Sequence, residues 1–225
     1  MLASLTTLLT YLAFTGASPL RRSTKALSTS NAYQLQVQLL DPAKDLDPPV
    51  AGEYLSTMHV GAGYNAAVVS THNVPGATYT PFYTNGTDAY TSVLNDLGTM
   101  YPWGIHVQAP DSFDYTFPGE HDVDINVGGG TNGIGLVASG DSVVLGGLAP
   151  GYYAVCNRFV GYVRANETVV RYVYEGEELP EGCVGVQFAP LCDVLEDLPE
   201  GSWWTHDFVQ EVPCVAPAAS PRFRA

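Results

Sequence analysis

Tyr33-Gln34-Leu35-Gln36-Val37-Gln38-Leu39 alternates apolar residues and glutamine without a break. Period two puts Tyr33, Leu35, Val37 and Leu39 on one face of an extended chain and the glutamines on the other. A helix would scatter both sets around its axis, so the stretch predicts a half-buried strand.

The same period recurs downstream, where Val123, Ile125 and Val127 alternate with Asp122, Asp124 and Asn126. Further strand-like runs cover 54–60, 66–71, 78–84, 104–108, 113–117, 134–138, 142–145, 152–156, 169–174, 184–188 and 208–212. Gly and Pro clusters separate them at short spacing, the pattern of a sandwich or barrel. Helical readings are confined to 89–97 and 193–198, both short. The expected fold is all-β: a single β-sandwich-like domain of short antiparallel strands spanning 33–215.

Residues 1–17 read as a signal peptide. The uncharged run Leu2–Phe14 is too short to cross a bilayer, and Thr15-Gly16-Ala17 supplies a small-residue cleavage site. A flexible leader over 18–32 and a disordered tail over 216–225 are expected to flank the domain. The pair Arg21-Arg22 is a second processing site or, preferred here, two solvated charges. The expected compartment is extracellular.

Four cysteines, Cys156, Cys183, Cys192 and Cys214, follow that leader. An even count outside zinc or CxxC spacing predicts two disulfides, with three pairings open. Asn85-Gly86-Thr87 and Asn166-Glu167-Thr168 are N-glycosylation sequons.

Net charge is −14, and no Lys or Arg occurs from Asp45 to Asn157. Such a surface repels nucleic acid and anionic membranes. The acidic character suits mildly acidic surroundings.

Candidate chemistry is sparse. Gly140-Asp141-Ser142 follows an apolar run as a serine nucleophile would, but Val143-Val144 crowd any oxyanion site and no partner is in place. Gly128–Gly133 lacks the lysine and following helix of a phosphate loop. Asp122, Asp124 and Asn126 share a strand face beside Glu120 and His121. They read first as a solvated face and only weakly as calcium ligands, since calcium needs six to eight oxygens from several loops. Tyr101-Pro102-Trp103-Gly104 and Trp203-Trp204-Thr205-His206 read first as core or edge packing and second as aromatic surface of the kind that holds sugars. Aromatics on both sides of Pro102 favour a cis bond there. His59, His72 and His106 read as packing or hydrogen-bonding groups, with His59 a candidate for the ligand surface.

Several elements occur in a telling order: His59-Val60-Gly61-Ala62-Gly63-Tyr64-Asn65, Phe82-Tyr83-Thr84-Asn85-Gly86-Thr87, Tyr101-Pro102-Trp103-Gly104, Asn126-Val127-Gly128-Gly129-Gly130-Thr131 and Tyr153-Ala154-Val155-Cys156-Asn157. This order resembles a family of small secreted fungal proteins of unknown function. The resemblance covers about Tyr33 to Cys183, and an acidic extension from Pro190 departs from it. It implies the pairing Cys156–Cys183 with Cys192–Cys214 and brings no catalytic residues.

The expected role is therefore a non-enzymatic extracellular protein that binds a glycan or protein, with no cofactor. Rival expectations are an acid hydrolase using a carboxylate pair, and a host-directed effector or structural protein without a small ligand.

Overall fold

The chain is described by a computed structural model covering residues 27–70, 80–87, 90–112, 119–147 and 150–216. The signal peptide, Arg21-Arg22, His72, the strand expected over 113–117 and nearly all of the tail lie outside these residues.

The described residues form fourteen strands. They are β1 (Leu27–Ser30), β2 (Ala32–Leu39), β3 (Tyr54–Gly61), β4 (Tyr64–Ser70), β5 (Phe82–Thr87), β6 (Tyr90–Asn95), β7 (Trp103–Val107), β8 (His121–Val127), β9 (Leu136–Ser139), β10 (Ser142–Leu145), β11 (Gly151–Val160), β12 (Ala165–Tyr174), β13 (Cys183–Asp193) and β14 (Val212–Val215). The described residues contain no helix.

Four expectations need correction. The segment 89–97 contains strand β6, hydrogen-bonded to β5 along its length. Tyr90, Thr91 and Val93 are residue types that favour a pleated, half-buried surface. Residues 193–198 end β13 and continue without regular structure. The leader ends earlier than position 32, because Leu27–Ser30 pairs with Val212–Val215 as β1. The cis proline is Pro48, after Asp47, rather than Pro102.

Every strand pairing is antiparallel except β13 with β14. β13 occupies one edge of β2 from Ala32 to Leu39. The other edge of β2 meets β3 at Gln36 and β5 at Tyr33. β12 pairs with β11 on one side and with β4 and β8 on the other. Hydrogen bonding therefore runs β2–β13–β11–β12–β8–β7–β6–β5 and returns to β2, with the β3–β4 hairpin set into the seam. The result is a β-sandwich-like body whose layers are joined at both edges.

The apolar face of the opening stretch lies inside it. Tyr33, Leu35 and Val37 join Phe82, Val93, Ile105, Ile125, Val155, Tyr172 and Phe188 in one core. Tyr153 packs edge-on against Tyr172 and Phe188, at centroid distances of 5.0 and 5.5 Å. The glutamine face is not simply wet. Gln34 is buried and donates to Asp193 Oδ2 at 2.8 Å, Gln36 donates to the Gly52 carbonyl, and Gln187 donates to Gln38.

Both disulfides have the pairing that the resemblance implied, Cys156–Cys183 and Cys192–Cys214. Bonds of this kind persist in oxidising compartments.

Candidate functional site

Turns at one end of the barrel are tied to each other by backbone bonds. Val127 at the end of β8 donates to the Gly63 carbonyl at 3.1 Å. Gly128 donates to the Pro102 carbonyl at 2.9 Å. Trp203 donates to the Met100 carbonyl at 3.0 Å. The β3–β4 turn, the β6–β7 turn, the end of β8 and the C-terminal segment thus form one continuous rim. His59 extends it to the β11–β12 turn, its ring 5.6 Å from that of Tyr162 and nearly perpendicular to it.

This rim carries exposed aromatic surface. Trp203 is 77% exposed, Tyr64 62% and Tyr162 59%, with Tyr101, Met100, Val127 and Phe159 also exposed. A soluble surface rarely gathers so many large apolar groups without a binding role.

The family-like motifs build the rim's frame. The glycine bend 128–133 folds back on β7, where Thr131 donates to the Ile105 carbonyl and its hydroxyl accepts from Val107. The approach is so close that a Cβ on Gly104 would lie 2.1 Å from the Gly130 nitrogen. Only glycine fits.

The expected ligand-surface residues divide. Tyr101 and Trp203 lie on the rim, and His59 joins it through Tyr162. Trp103 is half-buried beneath, its indole donating to Thr99 Oγ1 at 2.9 Å. Trp204 turns inward against the Tyr83 hydroxyl. There the Asp96 carboxylate accepts from Tyr83 at 2.6 Å and pairs with His206 Nε2 at 2.9 Å. Burial and the adjacent Asp96 push the Tyr83 phenol well above its ordinary pKa. His206 thus finds its acid 110 residues upstream. Ser142 stands in the separate β9–β10 hairpin, paired with Ser139.

The acid face of β8 is held by protein partners. Asp122 pairs with Arg171 at 2.9 Å, and Asn126 Oδ1 accepts from the Asn65 amide at 3.0 Å. Burial, reinforced by Asp122, raises Asp124 to about 6. Glu120, expected at the edge of this face, is buried instead. It accepts from Arg158 and from Arg171, whose Nε lies 3.3 Å from Oε2. His121 contacts Glu177 at 3.0 Å. Among the described residues, Glu120 with Cys156 and Cys183 is the one grouping at metal-ligand spacing, and those sulfurs are bonded to each other.

The sequons also divide. Asn85 is 9% exposed within β5, and its neighbour Gly86 donates to the Phe208 carbonyl. Asn166 is exposed at the start of β12.

Reading the sequence missed Tyr64, Phe159 and Tyr162. Their signal was present: aromatics beside glycines at hairpin tips, where no core is available. It missed Asp96 because nothing local links it to His206.

A family model described as a domain of unknown function (DUF7907) matches residues 30–192. A protein named antigenic protein SchS34, from Stachybotrys chartarum, is 28% identical over 204 residues, covering 84% of this chain and 87% of that protein. No solved structure matches.

Proposed function

This chain belongs to the DUF7907 family, and from that premise we propose that it is a secreted, N-glycosylated binding protein whose aromatic rim takes an uncharged glycan. The carrying observation is the set of exposed rings on the linked turns, Trp203, Tyr101, Tyr64 and Tyr162. Flat apolar rings stack on sugar faces, and several of them on one rim suit a polymer better than a monosaccharide. The net charge of −14 disfavours anionic polysaccharides. Two disulfides support the extracellular assignment, as does the antigenic relative, whose name places it before an immune system.

Depletion of the purified protein by insoluble glucan, mannan or chitin at pH 5 tests the reading. Trp203→Ala, Tyr64→Ala and Tyr162→Ala are each expected to weaken binding by about 2–10-fold, from ~0.5–1.5 kcal/mol per aromatic contact. No depletion by any of these polymers would sink the proposal. For the glycan carried by the chain itself, Asn166→Gln should abolish the mass shift on enzymatic deglycosylation. Asn85→Gln should leave it in place, because a sugar on Asn85 would displace the segment lying on β5.

One observation favours a second reading, acid hydrolysis by Asp122 and Asp124. They share a strand face in opposed environments, one ion-paired and one with a raised pKa. Asp124→Asn separates the two: it spares binding but would abolish release of reducing sugar.

A further inference from the structure

The opposite end of the β11–β12 ladder from the Tyr162 turn has a different character. Two cavities of about 280 and 210 Å³ lie there, and both are lined by Leu40 and Tyr152. The larger runs under the β9–β10 hairpin past Val137, Val144 and Tyr172. The smaller runs toward Leu179 and the Asp41–Lys44 loop. Walled in common by those two side chains, they are together of the size of small-molecule sites, roughly 300–1,000 Å³.

We propose that this paired cavity binds an uncharged lipid bearing a single hydroxyl, a sterol or a long-chain alcohol. Leu40, Val137 and Leu179 are exposed aliphatic side chains on its walls, 50%, 48% and 39% accessible. Three such groups around one groove mark a ligand surface rather than scattered exposure. The groove stays open because glycines line it: Gly146, Gly147 and Gly151 in the larger cavity, Gly185 in the smaller. A Cβ on Gly147 would lie 2.2 Å from the Tyr172 hydroxyl oxygen and 2.4 Å from its ring carbon Cζ.

Two features set the headgroup. Tyr152 lines both cavities, and its hydroxyl has no hydrogen-bond partner among the described residues. Burial, with Glu177 nearby, raises its pKa, so it remains a neutral donor and acceptor. Charge argues against a fatty acid. Among the described residues Lys44 is the one cation lining either cavity, and Asp41 already neutralises it at 3.3 Å. Glu177 then leaves the local field negative, and a carboxylate would enter against it.

The test uses the full chain with tritiated cholesterol, oleyl alcohol and oleate, read by equilibrium partition from detergent-free buffer. Saturable one-to-one binding of at least one neutral lipid is expected, with oleate at least about tenfold weaker, or ~1.4 kcal/mol. The double variant Leu40→Glu, Val137→Glu should lose about tenfold or more in affinity for the neutral lipid. Its thermal midpoint should hold, since both positions are exposed. Tyr152→Phe keeps the ring and should lose about fivefold for the alcohol, the worth of one hydrogen bond, with no change for a hydrocarbon of equal length. Trp203→Ala should change nothing, which separates this site from the rim. Lack of saturable binding of both neutral lipids, equal binding by the double variant, or oleate binding as tightly would each overturn the proposal.

Discussion

Glu120 is the residue on which much of the protein's scarce positive charge converges. Of the four described cations, Lys44, Arg158, Arg164 and Arg171, two are committed to its carboxylate. Breaking a buried pair from one side leaves uncompensated charge. Glu120→Gln is expected to cost about 3–5 kcal/mol in urea unfolding. Asp122→Asn, at a half-exposed carboxylate, should cost under about 1 kcal/mol. A Glu120→Gln protein within 1 kcal/mol of wild type would remove this carboxylate from the account of stability. Asp124 gives the opposite kind of effect. Its folded pKa of about 6 lies above the ordinary aspartate value of 3.8, so the folded state holds its proton more tightly than the unfolded chain. The stabilisation is fully present below pH 3.8 and is lost as pH rises through 6. Asp124→Asn should therefore be more stable than wild type at pH 7, by on the order of 2 kcal/mol, and should match it near pH 4. Equal stability at both pH values would count against the raised pKa.

At the scale of elements, the C-terminal segment after β13 matters most, and it lies beyond the residues that the family model matches. It is laid over β5 by Gly86 to Phe208, Gln210 to Thr84 and Gln210 Nε2 to Gly86. His206 fixes it to Asp96, and Cys192–Cys214 closes it as a loop. Replacing both of those cysteines by serine should cost about 3 kcal/mol by the loop-entropy argument and loosen Trp203 on the rim. The check is thermal unfolding together with Trp203 quenching by iodide. Unchanged quenching would mean that the hydrogen bonds alone hold the strap. This element also marks a limit of legibility. Strands with clean alternation, such as β2 and β8, were readable because one face meets the core at every second residue. The strand β6 reads as a helix in sequence because its pattern is short, and only its pairing with β5 fixes it as a strand. The strap carries no periodicity at all, so its placement depends on contacts more than a hundred residues apart in sequence.

Over the whole molecule, the strand inventory and the all-β class were legible, and the ring closure was not. Closure rests on single-residue contacts such as Tyr33 with Phe82 and Val169 with Val68, which leave no mark on any local pattern. The rim was half legible for the same reason. Tyr101 and Trp203 stand out as aromatics in polar turns, but their neighbourhood with Tyr64 and His59 exists only once β8 lies between β7 and β4. The charge map sorts partners for the entire surface: negative potential outside, with Arg158 and Arg171 largely withdrawn from solvent. Ring closure also leaves few free sheet edges, the outermost described strand being β1.

That strand has a consequence for the chain as a topological object. Leu27 sits opposite Val215, so the first and last described strands finish side by side. Joining them by a short linker and opening the chain at an exposed turn would give a permuted protein with every strand still in its place. The same adjacency would let the domain be inserted whole into a loop of a carrier, entering and leaving through one doorway.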